Sequence, residues 1–447
     1  MRLLLIILPI ILLGSPWGQL GASEVAPVHD GYRGLWYQLR NKYSGAMATY
    51  TAKHRPLAVY AEAVDRTFFV YGGTTAVDER ELVAMIGVYD HATRSFAQPR
   101  EVMRKPGVDD GHDNPSLAIL ADGRLLVAVS GRNTRRKGVY FRSLRPYDPT
   151  AFERVPGPSF TYPQPWVLDD GRLVHCFTRY TGGREIYVAT ANAAAEDWTD
   201  PLKLVGFGGH YQVSAARGDL VVTAFNWHPK GNVDARTNLY VMASSDAGRR
   251  WMSLDGGALE LPLKHPDNPA LVRDFAAEGL RIYLKDIALD DRGRPAILVV
   301  AAPAGAGPRR WLVARFNGRA WDWSQVTTSD HSYDTGCLWL DGDTAWVVGP
   351  SLPGPQPNRT GGDLEMFRGQ RGRWTRVERL TTDPTAHHSY VRRPLHARPD
   401  FAAFWGSAVS DTFSPVRLHA LDLDRSEVVT LPMVMPTETA ARDPFKP

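Results

Sequence analysis

The sequence predicts an all-β chain folded as a single seven-bladed β-propeller of four-stranded antiparallel blades. Three observations carry that expectation. A polar cluster running into an apolar strand and closed by a tight turn recurs about every fifty residues, the period of an array of short-stranded repeats. Each copy sets a His or Tyr at or near the mouth of its first strand. Finally, Ser244-Ser245-Asp246-Ala247-Gly248-Arg249-Arg250-Trp251 has the Ser-x-Asp-x-Gly-x-x-Trp spacing of an Asp box. In such a hairpin Ser and Asp bond the turn amides while Trp packs beneath.

The repeats are best taken in order. The lead-in is rich in glycine and aromatic residues and too irregular for a helix. Arg55 to Tyr60, Arg66 to Tyr71 and Val83 to Tyr89 then read as strands of a first blade opening near residue 54. Further blades open near residue 112, at Tyr162-Pro163-Gln164-Pro165-Trp166, at His210-Tyr211-Gln212-Val213, and near residue 282 in Tyr283-Leu284-Lys285-Asp286. The last two open at His331-Ser332-Tyr333-Asp334 and at His387-His388-Ser389-Tyr390-Val391. The turns after the first strands are Asp122-Gly123, Asp170-Gly171, Gly218-Asp219, Asp291-Arg292-Gly293, Asp341-Gly342 and Pro399-Asp400, the residue types that tight hairpins demand. Asn317-Gly318-x-x-Trp321 and Arg371-Gly372-x-Trp374 read as degenerate copies of the Asp box.

Composition limits the function classes. A length of 447 residues would by itself suggest about three domains, but a propeller adds blades to one ring. With 43% hydrophobic and 22% charged residues the chain reads as globular. The net charge is +4 and the one dense basic run is Arg135-Arg136-Lys137, so no nucleic-acid partner is expected; a polyanionic sugar suits a mildly basic face. Met1-Arg2, the apolar run Leu3 to Leu13 and the small residues Gly21-Ala22-Ser23 read as a signal peptide over residues 1–23. Residues 24–447 are then the propeller, secreted or periplasmic, with no membrane association once the signal is removed. Cys176 and Cys337 sit in separate strand-like runs and are expected as buried free thiols.

Gly31 to Tyr37, Lys42-Tyr43-Ser44-Gly45, Thr49 to His54, Gly111 to Pro115, Thr161 to Trp166, His210 to Val213 and Tyr390 to Pro394, with the Asp box, resemble the BNR-repeat propeller family of carbohydrate-active enzymes. That family includes ulvan lyases and enzymes that remove rhamnose capping glucuronate on arabinogalactan-type glycans. The resemblance spans nearly all of the chain after the signal and implies an acidic polysaccharide substrate with cleavage at rhamnose–uronate linkages. It also implies two rival chemistries. Its lyase members match at His112 and Tyr211, which would serve as base and acid of a β-elimination.

Two departures from the lyases matter. Where they carry a second His this chain has Ser130-Gly131-Arg132-Asn133, and where they carry an Arg it has Asn226-Trp227-His228. Asn133, Arg132, His228 and Arg236 are therefore the candidates for the substrate carboxylate, with His210, Tyr333 and Arg393 as further substrate contacts. The rhamnosidase-type members match instead at His54, which would act on the opposite face as the single catalytic His of an α-L-rhamnosidase-type hydrolase.

Other classes fare less well. No Cys or His spacing matches zinc, so no metal or other cofactor is expected; Asp109-Asp110 with Asp113 is the one cluster that could take a structural Ca²⁺. A sialidase would need an Arg triad, a Tyr nucleophile and the Phe-Arg-Ile-Pro lead-in that this chain lacks. A non-catalytic glycan-binding propeller is the remaining alternative, since propellers host many functions.

Overall fold

The computed structural model describes residues 24–35, 44–49, 53–132, 134–356, 358–409 and 415–445. Residues 1–23, expected from the sequence as a signal peptide, and Asn133 lie outside the described residues. Among those described, every regular element is a β-strand or a single 3-10 turn.

The strands group into successive four-stranded antiparallel units. The first is built on Ala58–Ala61, Arg66–Gly73, Leu82–Asp90 and Arg100–Lys105, and the second on Pro115–Ile119, Arg124–Val129, Val139–Pro146 and Ala151–Val155. Thr161–Val167 to Leu202–Val205, Gln212–Arg217 to Leu271–Arg273 and Leu280–Leu289 to Trp321–Ser329 each form a separate four-stranded sheet. The units starting at Cys337–Asp341 and His387–Arg392 share one continuous sheet, joined by the Gly362–His388 pairing. The sequence placed an opening at residues 331–334, but the strand itself begins at Cys337. Asp334 holds the intervening residues in a turn, accepting from the amides of His331 and Gly361.

First strands of successive units lie side by side, so they surround one axis and point the same way along it. The circle closes where Leu395 bridges Val59 in parallel and exchanges hydrogen bonds with Ala58 and Tyr60. A second closure comes from the C-terminal segment: Thr439–Ala441 pairs with Ser95–Ala97 of the first unit, while Asp443–Pro444 pairs with Glu427–Thr430 of the last. This is a propeller-like arrangement. The apolar core lies between neighbouring units, as in the cluster that joins Phe68, Tyr71 and Tyr89 to Phe401, Phe404 and Leu418. Strands sandwiched between units are accordingly buried along their length, as Leu82–Asp90 is, whereas the outermost strand Arg373–Arg379 stays mostly exposed.

Turn chemistry follows the residue types. The Asp122 and Asp170 carboxylates accept from the amides of Arg124 and Arg172 two residues on, at 3.0 and 2.9 Å. At Ser244–Trp251 the Ser244 hydroxyl accepts from the Gly248 amide at 2.8 Å and Asp246 accepts from the Arg250 amide at 2.9 Å. The Trp251 indole N–H reaches the Gly248 carbonyl at 3.1 Å from beneath the turn. Both cysteines are free and buried.

Candidate functional site

Because the first strands run parallel around the axis, residues just before them gather at one mouth and residues just after them at the other. The first mouth collects most of the residues that the sequence singled out. His112 sits on the 3-10 turn Gly111–Asp113, whose start is capped by the Asp110 side chain. Its Nδ1 donates to Asp110 Oδ1 at 2.5 Å, and Arg132 holds the other oxygen of that carboxylate at 2.9 Å while also touching the imidazole. Burial lowers the His112 pKa below its ordinary 6.5, with Asp110 pulling the other way. Burial works to raise Asp110, but the His112 hydrogen bond and the charges of His112 and Arg132 overcome it and hold the carboxyl well below the usual range.

A run of neighbouring rings, tilted at His112–Tyr162 and edge-to-face beyond it, leads from there around the mouth. His112 lies 5.8 Å from Tyr162, Tyr162 lies 5.7 Å from Tyr211, and Tyr211 lies 4.6 Å from His228. Arg236 stacks over Tyr211 at 5.1 Å, over Tyr283 at 4.6 Å and over Tyr333 at 5.3 Å. Val233 O accepts from Arg236 Nε at 2.6 Å, and the Tyr333 hydroxyl donates to Asp234 at 3.2 Å. Burial, then the Arg236 charge, drives the His228 pKa well below 6.5. Burial raises Asp334, below the same rim, to about 7.

Backbone irregularity aims several of these groups. Tyr162 and Tyr390 adopt φ of 56° and 59°, a left-handed conformation that costs energy for a bulky residue. The register of the first strands slips at Tyr162, at Lys285 and at Tyr390, each the position of a bulge. Bulges of this kind bend a strand and redirect a side chain.

Other candidates go elsewhere. His210 turns back between Phe207 and Phe225 and bonds the Asn226 carbonyl at 2.9 Å, so its ring belongs to its own unit. Arg393 follows its strand and therefore stands at the opposite mouth, stacked on Trp339 at 4.6 Å and donating to Ala402 O at 2.8 Å. Asp110 and Asp113 face cations: Arg136 bonds both, and Lys105 bonds Asp113 at 2.7 Å. No group of three or more His, Cys, Asp or Glu side chains placed to hold a metal ion occurs among the described residues.

The opposite mouth holds a cavity of about 700 Å³. Its walls include Trp166, Trp339, Arg55, Asp286 and Arg393, and His54 reaches it from the axis. Arg55 and Asp286 form an ion pair across the ring. His54 is fully buried and spans both environments, since its Nε2 bonds the His112 carbonyl at 3.1 Å and its ring stands 5.8 Å from Tyr162. Burial pushes its pKa down to about 3. Sequence reasoning omitted Lys53, Arg55, Lys285 and Asp286 from the site. The available signal was charge inside otherwise apolar strands, as in Ile282-Tyr283-Leu284-Lys285-Asp286-Ile287.

No curated protein sequence matches the chain. Among solved structures, an ulvan lyase of polysaccharide lyase family PL25 superposes with a TM-score of 0.71 at 16% identity, over 89% of this chain and 96% of its own. The same values hold for that enzyme bound to -[GlcA(1-4)Rha3S]-. The polysaccharide lyase Uly1 gives a TM-score of 0.61 at 13% identity, over 91% of this chain and all of its own. These likenesses establish the fold. The profile of the BNR repeat-containing family matches residues 75–329, more than half of the sequence, and the chain therefore belongs to the BNR repeat-containing family.

Proposed function

We propose that this protein is a secreted enzyme that cleaves rhamnose–uronate linkages of an acidic polysaccharide by β-elimination at the mouth carrying His112 and Tyr211. The observation that supports this best is the pairing of a neutral imidazole with a phenol around one opening. With its Nδ1–H given to Asp110 and its pKa lowered, His112 keeps its Nε2 lone pair at neutral pH. It would take the proton from C5 of the uronate. The electrons form the C4–C5 double bond, the C4–O4 bond breaks, and the Tyr211 hydroxyl protonates the departing O4. Arg236 lies over Tyr211, where its charge would neutralise a carboxylate, and the neutral His228 ring beside Tyr211 would hydrogen-bond it. Arg132, which touches the His112 ring, is the second choice, while Asn133, a candidate named from the sequence, lies outside the described residues. The two PL25 structures support the reading, one being an ulvan lyase and the other that enzyme bound to -[GlcA(1-4)Rha3S]-. We also read the four-stranded units as seven blades and the Ser244–Trp251 turn as an Asp box.

A second reading has its own observation. The 700 Å³ cavity at the other mouth, with its Trp walls and His54, has the size and lining of a sugar site and would suit a hydrolase of the α-L-rhamnosidase type. One experiment separates the readings: a panel of rhamnose- and uronate-bearing glycans is incubated with the protein, and both ultraviolet absorbance and released sugars are followed. β-Elimination gives an absorbing unsaturated uronate, while hydrolysis gives rhamnose without absorbance. Full activity in a variant with alanine at both His112 and Tyr211 would remove the first reading.

A further inference from the structure

Cationic side chains converge on the axis of the ring, and Arg55 and Lys285 meet partners there. Arg55 pairs with Asp286. Lys285 donates to Ser332 O at 2.9 Å and to Thr335 Oγ1 at 3.3 Å, with the Asp334 carboxyl close enough to favour its charge. Lys53 differs. It is 2% exposed, its ammonium donates to the single carbonyl of Leu284 at 2.8 Å, and no carboxylate among the described residues pairs with it. Burial first, and then the charges of Lys285, Arg236, Arg392 and Arg55, work against its charged form and lower its pKa well below that of an ordinary lysine.

A buried ammonium with one neutral acceptor and four like charges near it is a cost to the folded protein, not a source of stability. A well-packed Met in the same place would avoid that cost. The arrangement becomes favourable once an anion is present. Access comes from the His112–Tyr211 mouth: Lys53 precedes the first strand, the Arg236 charge acts on it, and its own charge acts on His228, both groups of that mouth. We propose that Lys53 receives the anionic group of an acidic sugar, a carboxylate or a sulfate ester, and that the ligand-free ring carries a charge which this group neutralises. The inference rests on the reading of an acidic glycan as substrate and adds the residue that selects for its charge.

Thermal unfolding of the full-length protein tests it without relying on turnover. Sodium glucuronate and sodium sulfate are compared with sodium chloride at matched ionic strength, and with neutral rhamnose. Wild type should gain about 3 °C with glucuronate or sulfate and nothing with rhamnose. A response to sulfate alone assigns the site to a sulfate ester, and a response to glucuronate alone to a uronate. Lys53→Met should melt about 2 °C above wild type without ligand and show no anion response, whereas Lys53→Arg should keep the response. A wild type indifferent to both anions overturns the proposal, as does a response that Lys53→Met retains. So does a ligand-free melting point lowered in both Lys53→Met and Lys53→Gln, or their failure to fold, because the ammonium would then be stabilising the empty ring. If no glycan is ever cleaved, the cleavage reading fails while this measurement stands. If glycans are cleaved by Lys53→Met with an unchanged KM, this inference fails alone.

Discussion

Buried histidines make the fold acid-sensitive at an unusually high pH. Burial pushes His54 and His175 from an ordinary 6.5 down to about 3, and His210 and His331 down to about 4. His175 shows why: its Nδ1 meets the Tyr140 hydroxyl, Phe160 and Phe177 flank the ring at 4.7 and 5.0 Å, and Nε2 has no partner. A histidine with a depressed folded-state pKa contributes stability that is fully present above 6.5 and is lost as pH falls toward the folded value. Between pH 7 and pH 5 the unfolded chain takes up a proton at each of these four positions while the folded ring does not. That costs about 2 kcal/mol per site, or about 8 kcal/mol together. Asp334, raised to about 7 by burial and by Asp330, works in the opposite direction and returns about 2 kcal/mol. The net loss of about 6 kcal/mol is a large part of an ordinary domain's stability. Urea titrations at pH 7, 6 and 5 should therefore show the midpoint falling steeply, with His175→Phe flattening the slope by about a third. An unchanged midpoint between pH 7 and pH 5 would refute the reasoning, since the rings would then be protonated in the folded state.

Three further outcomes are expected. Tyr211→Phe and His112→Ala should each lower kcat/KM on a cleaved uronate glycan by about 10² to 10⁴, with unchanged melting curves showing that chemistry and not folding is lost. Arg442→Ala should cost about 3 kcal/mol in urea unfolding, because it removes a partner of the fully buried Asp422 and leaves Arg94 at 3.5 Å. Trp251→Ala should cost about 3 kcal/mol or more by emptying the space under its turn, and should leave kcat unaltered.

The repeat was legible because its turns are local chemistry. An Asp that caps its own hairpin two residues on, as Asp122 and Asp170 do, needs no distant partner, and alternation along a strand reports directly on burial. The site was legible only where a residue's role depends on its place along one strand. His112 and Tyr211 precede their strands and meet at one mouth; Arg393 follows its strand and stands at the other, a distinction that strand polarity alone could have supplied. His210 and Tyr211 are neighbours, yet one ring packs inside its unit and the other joins the run of rings at the mouth. That single-residue phase is set by packing against Phe207 and Phe225, which sequence spacing does not report. Least legible were contacts across the axis. Arg55 meets Asp286, and Lys53 meets Leu284, only because the ring closes.

His54 complicates any attempt to assign the reaction by substitution. Its Nε2 bonds the carbonyl of His112 while its ring lines the far cavity, so His54→Ala loosens the turn that carries His112, the base of the proposed β-elimination, as well as altering the far cavity. Loss of activity in that variant is expected under either chemistry. Arg393 touches only the far mouth, where it lies over Trp339 and bonds Ala402 O. Arg393→Met keeps much of its apolar stem against Trp339 and removes the charge. Catalysis at the His112 mouth should leave KM within about twofold of wild type in this variant. Catalysis in the far cavity should raise KM for an anionic glycan by about tenfold, the loss of one charge-assisted contact. A raised KM accompanied by an unsaturated product would contradict both readings, because it would place β-elimination at the mouth that lacks His112 and Tyr211.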